Sequence, residues 1–276
     1  MSEVDFLRAY DALLARWPVP VEPVDVPSAY GTTRVNVCGP ADGEPLVLLH
    51  GGGATSTVWF GVVGELTRRY RVYAPDQPGA AGRSVATGTP FAAPGDLMAW
   101  LVGLFDHFGL RRAYVAGHSY GSWLTLSLAL HAPDRVARLA LLDPTSSFAG
   151  LSPSYVLHAV PVLTRPTADR ARAFLRWETG GAVIDPGWVD VYALGAEQPQ
   201  WKVVMPRRPS PRQLLACQVP ALVLMAERSR SHDVRRVEAR ARKLLRARTE
   251  TLPGATHHTI PAVDADRIAR ELLAFG

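Results

Sequence analysis

Cysteine is nearly absent, with Cys38 and Cys217 the only two in 276 residues. Two thiols cannot build a disulfide framework, and without a pairing motif they do not make a cysteine-based metal site. Both adjoin strand-like segments, so they are expected to be buried free thiols in a reducing cytoplasm. Long apolar runs are missing as well. Hydrophobic residues make up 47% of the chain, yet no run approaches the ~18 to 20 residues of a membrane span. Residues 1–16 include Glu3, Asp5, Arg8 and Asp11, which does not fit a signal peptide. Lysine is scarce, so the net charge of +5 is carried almost wholly by arginine, crowded between residues 205 and 248. Within that stretch 234–245 has helical spacing, with Val237, Ala241, Leu244 and Leu245 toward a core and the arginines toward solvent. No nucleic-acid motif accompanies the charge, and a solvated face accounts for it without a nucleic-acid partner. There is no internal repeat and no low-complexity tract.

What remains is one large domain of short apolar strands alternating with helices. Strand-like runs fall at 21–28, 33–38, 46–50, 70–75, 113–116, 139–143, 221–225 and 248–252. Helical periodicity occupies 5–16, 57–69, 96–108, 122–131, 234–245 and 264–275. That alternation predicts an α/β fold with a mostly parallel sheet covered by helices on both faces. Active sites in such sheets lie beyond the carboxyl ends of the strands. Residues 146–212 break the pattern with many prolines and with aromatic residues including Tyr155, Phe174, Trp177, Trp188, Tyr192 and Trp201. They are expected to form a helical insertion, leaving 1–145 and 213–276 as the core domain.

The chain reads Gly117, His118, Ser119, Tyr120, Gly121 between an apolar strand and an apolar helix. A serine between two glycines at a strand-to-helix turn is the nucleophile elbow, in which small flanking residues let a sharp turn lift the hydroxyl above the sheet. His50, Gly51, Gly52 and Gly53 follow the strand 46–49, where glycine lets a backbone N–H approach a substrate closely. Residues 76–84 form another Gly-rich loop after a strand. His257 follows Pro253, Gly254, Ala255 and Thr256 near the C-terminus.

In these blocks, together with Arg16, Trp17, Pro18, Val19 and residues 31–40 and 45–59, the chain resembles the α/β-hydrolase superfamily over nearly its whole length. Within it the chain is similar to bacterial carboxylesterases of the type that cleaves naproxen esters. The resemblance implies the α/β-hydrolase fold, with 146–212 as a helical cap inserted in the core. It implies Ser119 as nucleophile and His257 as its base. His258 is a rival, but the family places its histidine three residues after Gly254. The chain departs from the family after strand 221–225, where the usual acid position is occupied by Ser229 in Ala226, Glu227, Arg228, Ser229. Asp143, at the end of strand 139–142, is the leading candidate for the acid, with Asp233 and Glu227 as alternatives.

A serine hydroxyl needs a base within hydrogen-bond reach, and the oxyanion formed by its attack needs preorganised donors. The backbone N–H groups of Gly52 and Tyr120 are the expected donors. His50 and His118 are expected to support their loops rather than react. Gly53, Trp177 and Trp188 are expected at the substrate. The reading is a serine hydrolase acting on a small, fairly apolar carboxylic ester, lactone or thioester. A lyase or tailoring enzyme on the same scaffold, or a catalytically silent binding protein, is the alternative while the acid at 229 is missing. Dehalogenase and epoxide hydrolase chemistry would need aspartate at 119. No metal or organic cofactor is implied, no macromolecular partner is indicated, and monomer and homodimer are equally compatible with the chain.

Overall fold

The computed structural model describes residues 3–260, 262 and 265–276. Its strands are β1 (Val21–Ser28), β2 (Gly31–Cys38), β3 (Glu44–Leu49), β4 (Tyr70–Pro75), β5 (Ala113–His118), β6 (Val136–Leu142), β7 (Ala221–Ala226) and β8 (Arg248–Leu252). They form one sheet in the order β1-β2-β4-β3-β5-β6-β7-β8. The β1–β2 hairpin joins antiparallel to β4, and every pairing from β4 to β8 is parallel. Successive side chains of a strand point to opposite faces. Leu46 and Leu48 of β3 therefore enter one core, and Val47 and Leu49 the other. Both faces are covered, which is why these strands are apolar throughout.

The helices are α1 (Glu3–Leu14), α2 (Val63–Leu66), α3 (Pro94–His107), α4 (Tyr120–His131), α5 (Pro153–Thr164), α6 (Ala168–Thr179), α7 (Pro186–Gly195), α8 (Pro211–Ala216), α9 (Val234–Arg240) and α10 (Ala265–Phe275). Phe6, Tyr10 and Leu13 of α1, Leu66 of α2, and Ile268 and Leu272 of α10 pack on one face of the sheet. Leu97 and Leu101 of α3, Leu124 and Leu128 of α4 and Val237 of α9 pack on the other. Between β6 and β7 the chain leaves the sheet for α5, α6 and α7, and α8 returns it. Helix α7 packs on α1, and Arg16 beside α1 pairs with Asp185 at 2.7 Å.

Local chemistry changes several boundaries. The segment read as one helix over 57–69 is a 3₁₀ turn, Ser56–Gly61, followed by the single turn of α2. Gly61, Gly64 and the β-branched Thr57, Val58, Val62 and Val63 all disfavour a continuous helix. The segment 234–245 is helical, but its second half, Ala241–Leu245, widens to a π turn that ends at Arg246 with φ 54°. Ala241 and Leu245 are buried, as Val237 is in the first half. The last helix begins at Ala265, and residue 264 of the sequence reading lies outside the described residues. Cys38 is a buried free thiol, whereas Cys217 is only half-buried, at the end of α8. Among the described residues no helix is long and apolar enough to cross a membrane.

Candidate active site

β5 ends at His118 and α4 begins at Tyr120, so Ser119 alone makes the turn, with φ 56° and ψ −114°. This conformation is strained for a residue with a Cβ. Glycine is required on both sides of it. A Cβ on Gly117 would stand 2.2 Å from the Gly121 carbonyl oxygen, and one on Gly121 would stand 2.1 Å from that of Leu49. The turn is pinned from below: Ser119 N–H donates to Leu142 O at 2.9 Å, and Ser122 Oγ donates to Gly117 O at 2.6 Å and Leu142 O at 3.1 Å.

Asp143 follows β6 with φ 42°, its N–H donating to Leu224 O at 2.7 Å, so the backbone is fixed against β7. His257 lies in the loop after β8. The loop brings His257 Nε2 to 2.8 Å from Ser119 Oγ and Nδ1 to 2.6 Å from Asp143 Oδ2. His257 is 1% and Asp143 0% exposed, so this line of three groups is sealed from water at its acid end.

The Asp143 carboxylate is held by donors from the β7 side. Ala226 N–H donates to Oδ1 at 3.0 Å, Ser229 Oγ to Oδ2 at 2.7 Å, and Ser231 Oγ to Oδ2 at 3.4 Å. His232 Nε2 stands 3.3 Å from Oδ1, while its Nδ1 meets Ser231 Oγ at 2.9 Å. Burial by itself would raise the Asp143 pKa. The charge and hydrogen bond of His232, and then those of His257, outweigh it and hold the carboxyl well below its ordinary value. Ser229 is thus a donor to a carboxylate that follows the neighbouring strand, β6.

The loop carrying His257 is gripped from two sides. From the core, His118 Nε2 donates to His257 O at 2.8 Å, and burial, followed by the neighbouring His257 and His258, pushes His118 down to about 3. From α6, the fully buried Glu178 accepts from the N–H groups of His257 at 3.1 Å and His258 at 3.0 Å. It also accepts from Thr256 Oγ1 at 3.2 Å and His258 Nδ1 at 3.1 Å. His258 therefore faces Glu178 rather than Ser119, within rings of Phe174 (5.4 Å), Tyr192 (5.7 Å), Trp188 (6.3 Å) and Tyr155 (6.4 Å). Tyr155 of α5 also meets the His257 ring edge-on at 5.8 Å.

On the opposite side of Ser119, a Cβ on Gly51 would stand 3.2 Å from Ser119 Cβ, so the loop after β3 presses on the elbow. Gly52 is exposed and faces open space, while Gly53, at φ 74°, lies under Tyr192 with no room for a side chain. His50 braces the loop: Nδ1 donates to Gly51 O at 2.9 Å and Nε2 accepts from Gln77 N–H at 3.2 Å. Burial lowers its pKa, consistent with that neutral tautomer. Below it the buried Asp76 accepts from Ser56 N–H at 2.8 Å, Arg83 N–H at 2.8 Å and Tyr10 Oη at 2.9 Å. Tyr120, whose N–H opens α4 and so lacks an intrahelical acceptor, donates through its hydroxyl to Val204 O at 3.0 Å.

Residues 46–271 match the sequence model of the alpha/beta hydrolase family. The chain belongs to that family. It is 26% identical to the carboxylesterase YbfK of Bacillus subtilis over 99% of this chain and 94% of that protein. The crystal structure of that esterase superposes with a TM-score of 0.92, covering 99% of this chain and 97% of that one. The naproxen esterase of the same organism superposes with a TM-score of 0.89 at 26% identity, covering 99% of each chain.

This alpha/beta hydrolase leaves some sequence candidates away from Ser119. Asp233 caps α9 by accepting from Arg236 N–H at 3.1 Å, and Glu227 accepts from Gly254 N–H at 2.7 Å. Trp177 is sandwiched between His158, stacked at 3.9 Å, and the Arg230 guanidinium at 5.1 Å, one ring farther out than Tyr155. Trp188 is buried in the insertion against Tyr192 and His258. Sequence reasoning missed Glu178, His232 and the donor role of Ser229. Glu178 and His232 carry no local signal and reach the site only through tertiary packing, and Ser229 stood out only as the residue at the usual acid position.

Proposed function

We propose that the protein is a serine carboxylesterase acting on small, fairly apolar esters through an acyl-enzyme on Ser119. The observation that carries this is the unbroken line from Ser119 Oγ to His257 Nε2 (2.8 Å) and from His257 Nδ1 to Asp143 Oδ2 (2.6 Å). With Asp143 accepting from Nδ1–H, Nε2 is left free to take the serine proton, as a triad requires. Ser119 Oγ then attacks the ester carbonyl carbon while its proton passes to His257. The carbonyl oxygen becomes an oxyanion received by the N–H groups of Gly52 and Tyr120, each worth ~10² to 10³ in rate in comparable sites. Collapse expels the alcohol, protonated by His257. Water activated by the same imidazole releases the acid and restores Ser119.

Residues 146–212 serve as a cap, and Tyr155 and Tyr192 give the site its apolar wall, with Gly53 beneath Tyr192. The full-length likeness to two esterases supports an ester as substrate. The lyase and binding-protein readings lose their ground once Asp143 takes the place of the missing acid. The test is initial-rate hydrolysis of p-nitrophenyl esters, from acetyl to long acyl and aryl-acetyl, by the native chain and Ser119→Ala. Turnover that disappears in the variant is the expected result. Turnover that survives it, or no turnover on any ester, overturns the proposal.

A further inference from the structure

A carboxylate enters this site from the inserted helices without touching Ser119. Glu178 of α6 is fully buried, and its two oxygens take four donors from three consecutive residues: Thr256 Oγ1, the N–H groups of His257 and His258, and His258 Nδ1. An amide could not replace it, because one oxygen cannot satisfy donors on both sides and the NH₂ group would face N–H groups. Burying a carboxylate is costly unless it is fully hydrogen-bonded. Here the donors belong to the loop whose middle residue lies against Ser119.

We propose that Glu178 is a positioning residue of the hydrolytic site, clamping the His257 backbone from the cap side and supporting the imidazolium that forms on His257 with a second negative charge. The inference rests on His257 being the base, as proposed above. Two features carry it beyond a staple between cap and core. The charge sits one residue's width from the reacting ring, since Glu178 Oε1 is 3.1 Å from His257 N. Among the described residues no arginine or lysine is paired with it, and its one ion-pair partner is His258. His257 faces Asp143 from β6, His118 from β5, Tyr155 from α5, Glu178 from α6 and His258 from its own loop. The charge on Asp143 is already shared with His232, whereas Glu178 is faced by His258, His257, Tyr155 and Tyr192. Of these, His258 is pushed by burial toward its neutral form, Glu178 opposing. Glu178 itself is held at about 2: burial would raise it, but the hydrogen bond and charge of His258 and then the charge of His257 pull it down.

The test is the pH profile of kcat/KM for Glu178→Gln and Glu178→Asp beside the native enzyme, with His257→Ala as a control. Removing the charge makes the imidazolium less favourable, so in Glu178→Gln the acid limb is expected to move down by about one pH unit. kcat should fall about tenfold or more with KM within about twofold, as for a group acting through orientation rather than binding. In Glu178→Asp the charge stays while the contacts lengthen, so kcat falls and the limb remains within about 0.2 pH unit of native. A folded Glu178→Gln with an unmoved limb, or with kcat within about twofold of native, reduces Glu178 to a staple and overturns the inference. Should Glu178→Gln not fold, a native-like kcat in Glu178→Asp overturns it equally. Full turnover in His257→Ala instead overturns the reading of the base on which it rests.

Discussion

Asp143→Asn removes one charge from the site with almost no change in size. The amide oxygen can still accept from Ala226 N–H, now 3.0 Å from Oδ1. The amide NH₂ then faces His257 Nδ1 across the contact that is 2.6 Å in the native site. Nδ1 can only accept from it, so the ring proton moves to Nε2 and Ser119 loses its base. In the Ser-His-Asp protease described by the same logic, this exchange costs ~10⁴ in kcat, which is about 5 kcal/mol of barrier. The same loss is expected here, read as kcat/KM on a short-chain p-nitrophenyl ester after folding is confirmed by circular dichroism. The geometry also specifies a repair. Ser229 Oγ is 2.7 Å from Asp143 Oδ2, so adding Ser229→Asp to Asp143→Asn returns a carboxylate to within reach of Nδ1. Recovery of at least tenfold is expected, on the order of 1.4 kcal/mol. Activity of Asp143→Asn within about threefold of native would refute the assignment of the acid.

Two further outcomes follow from the geometry. Gly121→Ala forces a Cβ to 2.1 Å from the Leu49 carbonyl, backbone against backbone, and is expected to cost roughly 3 kcal/mol or more; a melting temperature within about 2 °C of native contradicts the steric account. His232 is pulled above its ordinary value, burial opposing and the charge and hydrogen bond of Asp143 prevailing. A raised histidine adds stability that is complete below its unfolded pKa and fades as pH climbs through the folded one. The melting-temperature gap between native and His232→Gln should therefore be widest below about pH 6.5 and shrink in alkali, and a gap that does not change with pH contradicts the pairing with Asp143.

The parts of the site built by local rules were legible in the chain. Gly117 and Gly121 announce the turn at Ser119 because no other residue fits it, and the three glycines after His50 announce the facing loop. The alternation of apolar strands and helices gave the sheet because burial on both faces leaves no other pattern. The acid was not legible to the same degree. Leu142 and Leu224 are register partners, so the ends of β6 and β7 open onto the same few ångströms, and only packing decides which supplies the carboxylate. Glu178 and His232 lie 79 and 25 residues from His257 in the chain, and they meet the His257 loop and Asp143, respectively, only after folding. The helix boundary at 57–69 failed for a different reason: spacing alone cannot show that glycines and β-branched residues will split one apolar stripe into two short turns.

Ser119 holds a backbone conformation, φ 56° and ψ −114°, that glycine enters without steric cost and serine does not. Natural proteins are rarely at their stability optimum, and strained active sites are one reason. A chain with glycine at 119 would relax that torsion and lose the CH₂OH side chain whose oxygen meets His257, and it is expected to melt later. Thermostability selected without regard to turnover would thus drive this protein away from its proposed nucleophile, so a screen for hardier variants has to read activity and melting together.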